Sequence, residues 1–147
     1  MLGVAAPLTI ADIVTKEVMP TAAWAHHQRS PGWLLLCCVV FVGLFAICRV
    51  PALLVPPAAG LLAAGVLGNG LSAAMHRLRV PNPLVVESNT TIVAFNLADV
   101  WAVAGIASLT AVVAIWLIRN RRLLPAHRRA AASEERGAMT EDGNTAF

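Results

Sequence analysis

The chain has 147 residues, of which 58% are hydrophobic and only 13% charged, with a net charge of +3 at pH 7. That balance excludes a soluble domain with a covered core and points to an integral membrane protein. The positive charge gathers in the C-terminal segment, where it reads as a topology signal, and no nucleic-acid partner is expected.

Four candidate spans follow in chain order. Residues 2–18 are barely long enough to cross a bilayer and carry Asp12, Lys16 and Glu17 in their second half. They lack the basic lead and small-residue cleavage pattern of a signal peptide. The short interval 22–32 holds His26-His27, which without a third ligand at helical spacing reads as a solvated loop; no metal site is expected. Residues 33–50 are continuously apolar and carry Cys37, Cys38 and Cys48. On a helix Cys38 and Cys48 stand about 15 Å apart along the axis, so no disulfide is implied. Residues 52–74 are rich in Ala, Gly and Leu, with Pro56-Pro57 near their start, and their small side chains permit close helix packing. A polar interval, 75–96, precedes the fourth span, 100–118. Trp24, Trp33, Trp101 and Trp116 fall near the ends of these runs, as interfacial tryptophan does.

Basic residues set the expected orientation. Arg119, Arg121, Arg122, Arg128 and Arg129 crowd the end of the fourth span, and Arg49 marks the turn between the second and third, so both places are expected in the cytoplasm. With an even number of spans both termini are cytoplasmic, and the intervals 22–32 and 75–96 lie outside. Arg29, Arg77 and Arg79 run against this bias. The expected fold class is all-α, a polytopic membrane protein with four transmembrane helices and short extracytoplasmic loops. Residues 1–122 form the membrane domain, and 123–147 a disordered cytoplasmic tail.

The residue with the strongest functional signal is Asp99, at the mouth of the fourth span. A carboxylate at membrane depth costs about 2.5–3.5 kcal/mol on insertion scales, so its presence suggests a use. The structural alternative is an acid that caps the free N–H groups of a helix start.

Three stretches resemble the motifs of a known family, the lipoprotein signal peptidases (signal peptidase II), which are four-span aspartic endopeptidases of the bacterial inner membrane. Phe95-Asn96-Leu97-Ala98-Asp99 matches the family's Phe-Asn-x-Ala-Asp motif, with Gly105 at a family glycine position. Asp12-Ile13-Val14-Thr15-Lys16 is similar to Asp-x-x-Thr-Lys, and Gly65-Val66-Leu67-Gly68-Asn69 to Gly-x-x-Gly-Asn. The resemblance spans residues 8–118. It implies hydrolysis of the bond before the lipidated Cys of a diacylglyceryl prolipoprotein, with the bilayer and lipidated signal peptides as partners, a monomeric chain and no cofactor. Asp99 would be one catalytic carboxylate. Asn69 and Asn96 would support the site, and Asp12 and Lys16, spaced i, i+4, would organise the end of the first helix.

The chain also departs from that pattern. The family continues Gly-Asn-x-x-Asp-Arg, and here the spacing gives Ser72-Ala73. The Val-Val-Asp-Phe context of the other catalytic Asp has Val85-Val86-Glu87-Ser88 as its nearest counterpart, which makes Glu87 the expected second carboxylate. The interval 22–32 is too short for the family's small extracellular sheet, and the lead before Asp12 is shorter than usual. An aspartic peptidase needs two carboxylates close enough to share a proton, one activating water and the other protonating the scissile carbonyl. The competing expectation is therefore a catalytically inactive relative that keeps the fold and acts as a membrane binding or accessory protein.

Overall fold

A computed structural model describes residues 1–121. The expected tail, 123–147, lies outside the described residues. The chain divides into a unit of Met1–Val112 and a second unit beginning at Val113, within the last helix. All packing described below belongs to the first unit.

Four α-helices dominate: α1 (Leu2–Val18), α2 (Pro31–Ile47), α3 (Val55–Met75) and α4 (Leu97–Asn120). The starts of α2, α3 and α4 have local causes. The Ser30 side chain accepts the Trp33 N–H at the head of α2, with Pro31 in the first turn, where its missing N–H has no cost. Pro56 and Pro57 occupy the same kind of position in α3. At α4, Asn96 and Asp99 form a reciprocal capping box: Asp99 N–H donates to the Asn96 side chain at 3.0 Å, and Asn96 N–H donates to the Asp99 carboxylate at 3.2 Å.

Helices α3 and α4 are long and apolar enough to cross a membrane; α2 is apolar but shorter, and α1 carries a buried Asp12 and Lys16. Beside an apolar core that includes Leu44, Val55 and Val80, several polar side chains are buried and many large apolar ones are exposed. Buried side chains include Asp12, Lys16, Asn69, Ser72, Asn82 and Asn96, while Leu35, Val39 and Val42 of α2 and Val103 and Ile106 of α4 are exposed. Lipid would satisfy such a surface, whereas water would not.

Helix α3 is the central element, with α1 and α2 packed against it. Small residues set how closely its neighbours approach. A Cβ added at Gly65 would stand 2.6 Å from the backbone of Ala98 and Ala102 in α4, and one at Gly105 would collide with the backbone of Leu62. Small residues at these positions let the helix backbones approach closely and make extensive van der Waals contact.

Between the helices lie two small antiparallel sheets. In one, β1 (His26–Gln28) pairs with β2 (Arg79–Pro81), His26 opposite Pro81. In the other, β3 (Leu84–Ser88) and β4 (Thr91–Phe95) form a hairpin, Leu84 opposite Phe95. The expectation that residues 22–32 are too short to contribute a sheet is therefore corrected. Three residues suffice because the partner strand comes from the other interval and Arg29 N–H donates to Leu78 O at 2.7 Å. The all-α class becomes mostly helical, with short strands at one end of the helices.

Helix α3 ends in a Schellman-type turn, with Leu78 N–H donating to Ala73 O at 2.7 Å. The residue after its cap, usually glycine, is Arg77 at φ 53°, followed by Leu78 at φ 67°. Left-handed backbone at non-glycine residues costs about 1–2 kcal/mol each.

Candidate functional site: a buried polar centre

The three motif stretches converge. Asp12 and Lys16 come from consecutive turns of α1, Gly68 and Asn69 from the buried face of α3, and Asn96 and Asp99 from the first turn of α4. Lys16 Nζ lies 2.6 Å from Asp12 Oδ2 and donates to Asn69 Oδ1 at 3.1 Å. Asn69 Nδ2 in turn donates to Asp99 Oδ1 at 2.8 Å. Asp12 spends its other oxygen on Ala98 N–H, at 2.8 Å, so a carboxylate of α1 satisfies a free donor at the start of α4. The approach is possible because position 68 is glycine: a Cβ there would stand 2.5 Å from Asp12 Oδ2.

Asn96 is fully buried and joins the other half of the network. Its Nδ2 reaches Asn69 Oδ1 at 3.0 Å and Asn82 Oδ1 at 2.6 Å. Asn82, 1% exposed on the link between β2 and β3, donates to Ala94 O at 3.2 Å and to His27 Nδ1 at 2.6 Å. The His27 contact requires the tautomer with its proton on Nε2.

Each polar atom in this centre thus has a role that is also structural. Buried charge and amide groups are tolerated because they satisfy one another, and removing any one leaves partners unpaired. Asp99 is partly exposed, in contrast to Asp12 and Asn96. Of the two acids of the centre, Asp99 is the less buried residue, with each of its carboxylate oxygens accepting a hydrogen bond.

Glu87 is not brought to this centre. It sits on β3 opposite Ile92, one pair from the turn of the hairpin, and its side chain is exposed. Three residues separate it from Leu84, the strand position nearest Asn96, a displacement of about 10 Å at the rise of a β-strand. Among the described residues it makes no hydrogen bond or ion pair. The expected Glu87–Asp99 dyad is accordingly not formed. The cause is the hairpin: strand pairing carries Val85-Val86-Glu87 away from the start of α4.

Sequence reasoning missed Asn82 and His27. An isolated Asn before Pro83 carries no periodic signal, and His27 read as a solvated loop residue until β1 placed it beside Asn82. No group of His, Cys, Asp or Glu able to hold a metal occurs among the described residues. The chain matches no family model, no curated protein and no solved structure.

Proposed function

We propose that this chain is a signal peptidase II-like protein of the bacterial inner membrane that binds the lipidated signal segment of prolipoproteins without cleaving it. The proposal includes four membrane spans with both termini in the cytoplasm and the polar centre in the outer leaflet. The convergence of Asp12, Lys16, Asn69, Asn96 and Asp99 supports the resemblance, since three separate motifs of that family meet in one hydrogen-bonded cluster.

One observation carries the choice of binding over hydrolysis. Asp99 is hydrogen-bonded by the Asn69 amide and the Asn96 N–H, while the other carboxylate, Asp12, is turned to Lys16 and Ala98, so the two acids share no proton. A lone carboxylate cannot, in the same step, take a proton from water and donate one to the scissile carbonyl oxygen. It can, with adjacent amides, hold the exposed backbone of an extended or unwound segment inside a low-dielectric site, where such hydrogen bonds are strong.

The test is processing of a diacylglyceryl prolipoprotein in membranes that contain the native chain, Asp99→Asn or Glu87→Gln at equal expression. No mature lipoprotein is expected from any of the three. Processing by the native chain that both substitutions abolish would establish a Glu–Asp dyad and restore the peptidase reading.

A further inference from the structure

Two cavities outside the polar centre follow one another along α3. One, of about 450 Å³, is lined by His26, Met75, His76, Arg77 and Arg79. The other, of about 260 Å³, is a wholly apolar groove between α2 and α3, lined by Leu34, Cys37, Phe41, Leu67 and Leu71 among others. Met75, in the basic cavity, stands one turn above Leu71, in the groove, and i, i+4 side chains lie on the same helix face. The first cavity opens at the end of α3 where the strands begin. The second runs back along α3 toward Val66, about 12 Å from Ala74 at the rise of an α-helix.

In the first cavity the acid at hand, Glu17, pairs with His76 at 3.4 Å, which leaves the two arginines without one. The ion pairs of the described residues are Lys16–Asp12 and His76–Glu17, so neither Arg77 nor Arg79 has an acidic partner there. Arg29, whose backbone joins the same turn, stacks on Trp33 at 4.7 Å instead of pairing with an acid. These are the arginines that run against the orientation set by the rest of the chain, so topology does not account for them. Arg77 also occupies the left-handed position of the Schellman turn, where glycine would relieve the backbone. An observed strain of this kind points to a use for the side chain.

We infer that the two cavities form one site for an anionic phospholipid, with its phosphate between Arg77 and Arg79 and an acyl chain in the α2–α3 groove. Guanidinium groups suit phosphate oxygens, and an apolar groove one helical turn along α3 from a basic cavity matches the order of headgroup and chain in a lipid. The inference rests on the membrane placement proposed above, but not on prolipoprotein binding.

The experiment uses the full chain in dodecyl maltoside micelles, with native mass spectrometry following dihexanoyl phosphatidylglycerol, neutral dihexanoylglycerol and inorganic phosphate. Phosphatidylglycerol is expected to bind about tenfold or more tightly than the neutral lipid, the worth of one hydrogen bond to a charged group. Arg77→Gly should lose that preference while raising the thermal midpoint, because it removes the charge and relieves the backbone together; a merely structural Arg77 would not produce both changes. Gly70→Leu, whose side chain would enter the groove, should weaken phosphatidylglycerol and leave inorganic phosphate unchanged. Equal binding by Arg77→Gly and the native chain would overturn the site, and inorganic phosphate binding as tightly as phosphatidylglycerol would reduce it to a free-anion site. Retention of uncut prolipoprotein by the native chain separates the two proposals: retention without a phosphatidylglycerol preference counts against the lipid site alone, and a phosphatidylglycerol preference without retention counts against the prolipoprotein reading alone.

Discussion

The polar centre and the β3–β4 hairpin each hold an acid that sequence reasoning placed in one catalytic pair, yet their surroundings differ in kind. Asp99 is tied to Asn69 and Asn96 by hydrogen bonds of 2.8–3.2 Å and is built into the start of α4. Glu87 stands exposed on a hairpin in which Val85, Val86, Ile92 and Val93, on both strands, are themselves exposed. An acid within a network is held in position by every partner that would be left unpaired without it, whereas an acid on an exposed strand is held only by its backbone. Motif spacing located the first because helix geometry fixes where its residues go. It misplaced the second because strand pairing, invisible to spacing, decides which way the chain leaves.

The sharpest way to break this comparison is to remove the charge that anchors the centre. Lys16→Met leaves Asp12 buried without its partner and is expected to destabilise the fold by about 3–5 kcal/mol, read as a lowered thermal midpoint in detergent. Gly68→Ala should follow, at about 1–3 kcal/mol, because a Cβ there pushes Asp12 off Ala98 and separates α1 from α4. Asn69→Ala, which strands Lys16, Asn96 and Asp99 at once, is expected to cost about 1–3 kcal/mol in the same measurement and to abolish binding at the centre. Glu87→Gln marks the other end of the scale: within about 0.5 kcal/mol of the native chain, as for surface substitutions generally. A Glu87→Gln loss comparable to that of Asn69→Ala would mean that the hairpin carries the acid into the centre.

Much of the helical frame was legible in the sequence. The first span, 2–18, coincides with α1, and the other three overlap α2, α3 and α4 with ends shifted by a few residues. The shifts have identifiable causes. Hydropathy starts the second span at Trp33, but Ser30 and Pro31 begin the helix; it starts the fourth at Val100, but the Asn96–Asp99 capping box begins α4. Among the site residues, Asp12, Lys16, Asn69, Asn96 and Asp99 meet because each lies at a helix position fixed by its motif. The strands were less legible. Thr91-Ile92-Val93 is a β-branched run after the Asn89-Thr90 turn, a usable signal for a hairpin, but the pairing of β1 with β2 joins segments more than fifty residues apart and has no local signature. Asn82 entered the centre through that pairing.

Asn82 is also the point at which the comparison can be sharpened chemically. It is a buried amide that contacts Asn96, which in turn contacts Asp99, and Asp has nearly its shape. Asn82→Asp would give the centre a second carboxylate, but one separated from Asp99 by Asn96, so no prolipoprotein processing is expected from this variant, and processing by it would show that the two acids come together.

The most direct measurement of the central claim is recovery of the native chain from membranes that express a diacylglyceryl prolipoprotein, with both the uncut precursor and the mature lipoprotein followed. Uncut precursor is predicted to co-purify with the native chain and to be lost from Asn69→Ala. Mature lipoprotein generated by the native chain would contradict the account, because it would require a second carboxylate to act with Asp99.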